Sequence, residues 1–416
     1  MAAASMIAIA GAWFAYLHPA PTVSRAPAAV HVEAPQSTFQ PAALAFVSPT
    51  RGWVVALSAT GAYTLLQTAD AGQTWSRALT GQTGGRGVYL RFFDSTNGVF
   101  ALTGAKAETF WTYDGGRTWT AHQLLDPASF VVSLYFVDST HGWLLVRTET
   151  PTTASSDLLR TTDGGANWTS LGQPVPSADD AYSVEFSDRN DGWLESLNSG
   201  AYAYRSLDGG ASWQPVALPA PQGGWPPNGQ FFVAAYPTKG LGVVATVANF
   251  APISGRSGIG ASVLLYPPLT VRAYDGGLPV RYIYTFAPAF FGGDPAQAGL
   301  SSSNTSGVPA PNQVSLGSLD GGLTWGGIAP PAAPGAIGYS DARNWWWIGS
   351  AVWSKSSDGG GTWSPYRNVG VITPLAGTLQ LLDDHHAWYG AMAGSRAVLE
   401  TTSDGGVHWR MVLLPG

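Results

Sequence analysis

Thr112-Tyr-Asp-Gly-Gly-Arg-Thr-Trp119 is the stretch on which the reading of this chain turns. It returns as Thr161-Thr-Asp-Gly-Gly-Ala-Asn-Trp168, Ser206-Leu-Asp-Gly-Gly-Ala-Ser-Trp213 and Ser318-Leu-Asp-Gly-Gly-Leu-Thr-Trp325. Ser356-Ser-Asp-Gly-Gly-Gly-Thr-Trp363 and Thr402-Ser-Asp-Gly-Gly-Val-His-Trp409 follow. A looser copy, Thr68-Ala-Asp-Ala-Gly-Gln-Thr-Trp75, opens the series, and a worn one stands at Ala273 to Val280. The chemistry is that of a hairpin turn. A carboxylate accepts bonds from nearby backbone N–H groups and from the Ser/Thr hydroxyl. Gly supplies a positive φ, and Trp opens the next strand and anchors the turn by burial. Asp70, Asp114, Asp163, Asp208, Asp275, Asp320, Asp358 and Asp404 are therefore read as architecture, not as catalytic acids or metal ligands.

A second motif precedes each turn. Phe46-Val-Ser-Pro-Thr-Arg-Gly-Trp53, Phe92 to Val99, Phe136-Val-Asp-Ser-Thr-His-Gly-Trp143 and Phe186 to Trp193 each read as a strand end, a polar turn and a new strand. Weaker echoes run from Ala234, Gly293, Gly338 and Leu381. Successive turn Asp residues fall 38 to 67 residues apart. Four short strands per period of that size match a β-propeller blade. The fold class is all-β: one propeller of four-stranded antiparallel blades, with eight sequence units, or seven blades if units five and six merge. The same strand order from first unit to last predicts a ring closed blade against blade without an exchanged strand.

Composition narrows the function classes. Charged residues make up only 11% of the chain, against about 25% in an average domain. A net charge of −6 gives no basic field for nucleic acid. Cys is absent, which removes disulfides, thiolate zinc sites and Cys nucleophiles. The 18 Trp residues are largely claimed by turn ends and strand starts, so aromatic abundance does not argue for sugar stacking.

The chain divides into three parts. Ala2 to Leu17 is apolar and uncharged, short for a spanning helix, which needs about 20 residues; it reads as an export signal or signal anchor within residues 1–21. Residues 22–39 form a Pro/Ala-rich linker from which no blade is expected to draw a strand, and residues 40–416 hold the propeller. The expected location is extracytoplasmic (secreted, periplasmic or cell surface), tethered by the N-terminus, with membrane contact only through residues 2–17.

The eight-residue repeat resembles the Asp-box of bacterial-neuraminidase-type repeats. The paired motifs, Phe-x-Asp-x3-Gly-Trp followed by Asp-Gly-Gly-x-Thr-Trp, resemble the photosystem II stability and assembly factor family over about residues 40 to 416. That resemblance implies an extracytoplasmic propeller that assists assembly by binding protein, without chemistry of its own. The family's arginine-rich patch does not carry over. The residues before the turn Gly, or its equivalent, are Arg51, Asn97, His141, Asp191, Lys239, Ala298, Arg343 and His386, of which three are firmly basic.

The alternative is an exo-sialidase-like or other glycoside hydrolase acting on surface glycans, since sialidases also carry Asp-boxes on a propeller. It would imply three Arg residues on a substrate carboxylate and a Tyr nucleophile with acidic partners. Arg256, Arg272, Arg281, Tyr282 and Tyr284 lie close in sequence, but no spacing assigns them roles. Asp383-Asp-His-His386 has metal-ligand residue types at the position of a solvated turn. No catalytic residue, metal site or cofactor is expected. Long insertions fall on one face, and loops on rigid scaffolds carry function. Trp225, Phe250 and Arg256 are the expected contacts to a protein or cell-surface polymer, because aromatic and Arg side chains anchor interfaces.

Overall fold

The computed structural model describes residues 22–24, 29–30, 39–124, 130–149, 154–177, 179–220, 230–237, 243–250, 273–275, 278–283, 313–328, 335–349, 352–368, 373–393 and 396–415. The described elements are antiparallel strands without a helix, arranged as a β-propeller. Among the described residues no helix is long and apolar enough to cross a membrane. The apolar run Ala2 to Leu17 lies outside them.

Two short strands come first, β1 (Thr22–Ser24) and β2 (Ala29–Val30). The first meander is β3 (Phe39–Phe46), β4 (Gly52–Ser58), β5 (Ala62–Thr68) and β6 (Trp75–Gln82), each strand antiparallel to the next. The second is β7 (Gly87–Phe92), β8 (Gly98–Ala105), β9 (Glu108–Thr112) and β10 (Thr118–Gln123). The third is β11 (Phe130–Phe136), β12 (Gly142–Glu149), β13 (Ala154–Thr161) and β14 (Thr169–Gly172). The fourth is β15 (Asp180–Phe186), β16 (Gly192–Asn198), β17 (Tyr202–Ser206) and β18 (Gln214–Ala217).

Past the fourth meander the order departs from the sequence repeat. β19 (Gln230–Pro237) and β20 (Val243–Phe250) are followed by a hairpin, β21 (Ala273–Asp275) and β22 (Leu278–Ile283). β20 then pairs across that insertion with β23 (Gln313–Ser318), which pairs with β24 (Gly326–Gly327). Sequence units five and six thus supply one four-stranded meander, and Asp275 ends a strand of the inserted hairpin instead of heading a blade of its own. The chain ends with β25 (Gly335–Tyr339), β26 (Trp345–Gly349), β27 (Val352–Ser356) and β28 (Ser364–Asn368). Last come β29 (Thr373–Leu381), β30 (Ala387–Ala393), β31 (Arg396–Thr402) and β32 (Arg410–Val412).

Burial gives each meander an inside and an outside. β3, β7, β11 and β15 end in runs of four to six buried residues. β14 and β18 are mostly exposed. First strands therefore face the axis and fourth strands the rim; β3 lies beside both β7 and β29. The linker reading of residues 22–39 needs correction, because β1 pairs with the rim strand β10 and β2 with the rim strand β6. Long rim strands leave open edges, and this arm covers two of them.

The Phe and Gly of the second motif explain how meanders meet. A Cβ on Gly192 would stand 2.4 Å from the Phe186 ring, so the ring lies flat over the glycine. Its other face receives the Trp of the preceding meander. Trp143 stacks on Phe186 at 3.5 Å and Trp53 on Phe92 at 3.4 Å. The last meander meets the first in the same way, with Trp388 stacked on Phe46 at 4.0 Å. Gln380 Nε2 donates to Phe46 O, and Phe46 N donates to Gln380 Oε1. The strands of the last meander all come from residues 373–412, so the two ends meet by packing and side-chain bonds, with no exchanged strand.

Candidate functional site

The repeated Asp turns have one geometry. Thr161 Oγ1 donates to Asp163 Oδ1 at 2.8 Å and accepts from Gly165 N at 2.8 Å. Asn167 N donates to Asp163 Oδ1 and Asn167 Nδ2 to Asp163 Oδ2. The Gly165 φ of 85° is the left-handed value the turn requires, which costs glycine nothing. Asp70, Asp114, Asp208, Asp320, Asp358 and Asp404 accept the same pair of bonds from the Ser/Thr two residues before and the residue four after. The Thr362 hydroxyl leads the bonds that hold Asp358 at a pKa of about 2. These carboxylates are committed to their own turns. Asp275 lies in β21, and its side chain is outside the described residues.

The turn Trp does more than fill space. Trp119 Nε1 donates to Gly116 O, and Trp213, Trp363 and Trp409 repeat the bond to the second glycine of their turns. Six of the described Asp turns also tie to the first turn of their own meander, as Gly164 N donates to Thr140 O and Gly209 N to Asn190 O. Both turns therefore share one face of the ring.

Several basic side chains on this face reach neighbouring meanders. Arg51 Nη2 reaches Gly115 O, Arg160 Nη1 reaches Gly209 O, and Lys355 Nζ reaches Gly405 O at 2.6 Å. Arg410 Nη2 donates to Ala71 O at 2.7 Å, bridging last meander to first. Lys355 also lies 4.0 Å from the Trp346 ring, a cation–π contact. Burial lowers its pKa, opposed by Asp384 and Asp404. Arg205 makes a two-pronged contact with Asp191, at 2.8 and 2.9 Å.

The Asp383 cluster is a turn of the same economy. His385 N and His386 N donate to Asp383 Oδ1, with His386 Nδ1 beside both oxygens. Burial raises this carboxyl, but the His385 and His386 bonds outweigh it and the net shift is downward. Among the described residues no group of three His, Cys, Asp or Glu is placed to hold a metal.

Trp225 and Arg256 lie outside the described residues. Phe250 ends β20, its backbone paired with Gln230, and its side chain is not described. Arg281 and Tyr282 sit in β22 with backbone placement alone, while Arg272 and Tyr284 fall outside.

Between the third and fourth meanders the rim opens into a groove of about 630 Å3. Leu171, Pro174 and Val175 form one wall; Tyr202, Tyr204, Trp213 and Pro215 form the other. Asp179 holds Tyr202 and Tyr204 in place. Tyr202 and Tyr204 both donate to Asp179 Oδ2 at 2.7 Å, and Ser199 N donates to Oδ1. Burial, then the Asp179 bond, pushes the Tyr204 phenol well above its ordinary pKa. The arrangement is a fixed aromatic wall whose two phenols donate to one carboxylate. Sequence reading missed it because its residues lie in three separate segments; Tyr202-Ala-Tyr204 ahead of Trp213 was the one local signal.

Residues 63–194 match the family model described as Sortilin-Vps10, sortilin, neurotensin receptor 3. No curated protein matches the chain. Solved structures similar to it include YCF48 from Cyanidioschyzon merolae, at 12% identity over 91% of this chain and 98% of that one, TM-score 0.49. YCF48 bound to D1 peptide is 15% identical over 79% of this chain and 81% of that one, TM-score 0.43. The GH74 xyloglucanase from Xanthomonas campestris is 13% identical over 90% and 73%, TM-score 0.36.

Proposed function

We propose that this chain is an exported propeller of seven Asp-box blades that binds protein as a scaffold and catalyses no reaction. The observation that carries the reading is the rim groove, lined by aromatic, proline and aliphatic side chains, two of whose tyrosines are fixed by Asp179. Rigid aromatic surfaces bury large area at small conformational cost, which suits protein capture. The turn carboxylates, bound within their own turns, and the Arg51, Arg160 and Lys355 contacts to neighbouring blades support it. A role similar to the photosystem II assembly factors is compatible with this surface, and the partner class is protein or cell-surface polymer. The N-terminal run is proposed as the export signal or anchor, which places the ring outside the cytoplasm.

Affinity capture with the full chain from membranes of its native host tests the reading, alongside sugar release from a panel of surface glycans. A stoichiometric protein partner with no sugar release is expected. Turnover of a glycan, with no protein retained, would favour the hydrolase.

A further inference from the structure

The rim strands differ in how their outer edges are protected. β6 and β10 are long and carry β2 and β1. β18 and β28 hold Pro215 and Pro365, each two residues beyond its turn Trp. Proline cannot donate to an added strand. β24 has two residues, and β32 has three with the exposed Arg410. Shortness, charge and proline are the usual ways of blunting an edge. β14, Thr169-Ser-Leu-Gly172, is twice the length of β24 and free of proline and charge, mostly exposed, and paired among the described residues only with β13.

We propose that the β14 edge accepts an extended segment of a partner protein as an added strand, with an apolar side chain entering the adjoining groove. This rests on the protein-binding reading above and gives it a place. The chain's own arm supplies the pattern. β1 and β2 pair antiparallel to their rim strands, and each sets a valine opposite a turn Trp, Val23 opposite Trp119 and Val30 opposite Trp75. The corresponding Trp168 precedes β14, and Leu171 of β14 lines the groove. Added strands gain affinity from backbone bonds and selectivity from alternate side chains in pockets. An occupant here needs a β-branched or other apolar residue at the Trp168 register and a second one near Trp213.

The neighbouring blades supply the test. Ser170 stands two residues past Trp168, where β18 and β28 carry proline. Ser170→Pro therefore copies a sequence two blades already tolerate while removing an edge N–H. Ser170→Ala removes the hydroxyl bonded to Asp157 and Gly172 N and keeps the N–H. The probe is a fluorescent peptide of Thr22–Val30, titrated into the full chain and followed by anisotropy. Saturable binding is expected, weakened at least tenfold by Ser170→Pro and changed less than twofold by Ser170→Ala, with both variants unfolding in urea like the parent. Equal binding by a folded Ser170→Pro, or no saturable binding by the parent, overturns the proposal. Native-partner capture run in parallel separates the two levels. Equal capture by Ser170→Pro and parent keeps the protein-binding reading and discards this edge; capture by neither discards the reading itself.

Discussion

Replacing Asp163 with Ala tests whether the repeated carboxylates are structural. The side chain accepts from the Thr161 hydroxyl, Asn167 N and Asn167 Nδ2. It lies at an exposed tip, so water replaces part of what is lost. The cost should match that of a side-chain cap, about 1–2 kcal/mol. Thr161 is 1% exposed and also accepts from Gly165 N. Thr161→Ala strands that N–H, at about 2–3 kcal/mol, and should be the more damaging change. Equilibrium urea unfolding followed by Trp fluorescence reads both. With a slope of about 3 kcal/mol/M for a large domain, the Asp163→Ala midpoint falls by about 0.3–0.7 M. Partner capture by the folded variant stays unchanged. An unmoved midpoint with capture abolished would refute the structural role.

Asp358 has its pKa depressed to about 2, so its turn contributes stability in full above the unfolded value near 4 and loses it as pH falls toward 2. The difference in unfolding free energy between the parent and Asp358→Ala should therefore shrink from pH 6 to pH 2.5; a constant difference contradicts the assignment. Trp388, 1% exposed and stacked on Phe46, should cost about 3–5 kcal/mol on replacement by Ala. Trp53→Ala should cost a similar amount, and a far smaller loss at Trp388 would mean that the ends do not close. Removing residues 1–38 strips the β6 and β10 edges and should cause concentration-dependent self-association in sedimentation velocity; a monomer at every concentration would show the arm to be dispensable.

The turns and strands were legible in the sequence because each is a local event. Thr161 to Trp168 contains every partner that Asp163 uses, and Phe186 to Gly192 contains the ring and the gap beneath it. The merged blade was harder to read, because Asp275 keeps the turn motif while β20 reaches past it to β23. Pairing of the 22–39 segment was hidden because Val23 and Val30 find their partners 96 and 45 residues later, at Trp119 and Trp75. The groove eluded sequence reading for the same reason, since Leu171, Asp179 and Trp213 meet only when two blades pack. Trp225, Phe250 and Arg256 stand in exposed-type Gly/Pro settings, which name no neighbour.

Function is proposed to reside on the rim between the third and fourth blades, with the Asp turns holding the ring. A photo-cross-linking amino acid at Thr169, on the β14 edge, tests it against one at Val407, an exposed tip of the turn face. Irradiation in the native host should give a protein adduct from position 169, lost when Ser170→Pro is added, and none from position 407. An adduct from position 407 alone would place the binding surface on the turn face and contradict the account.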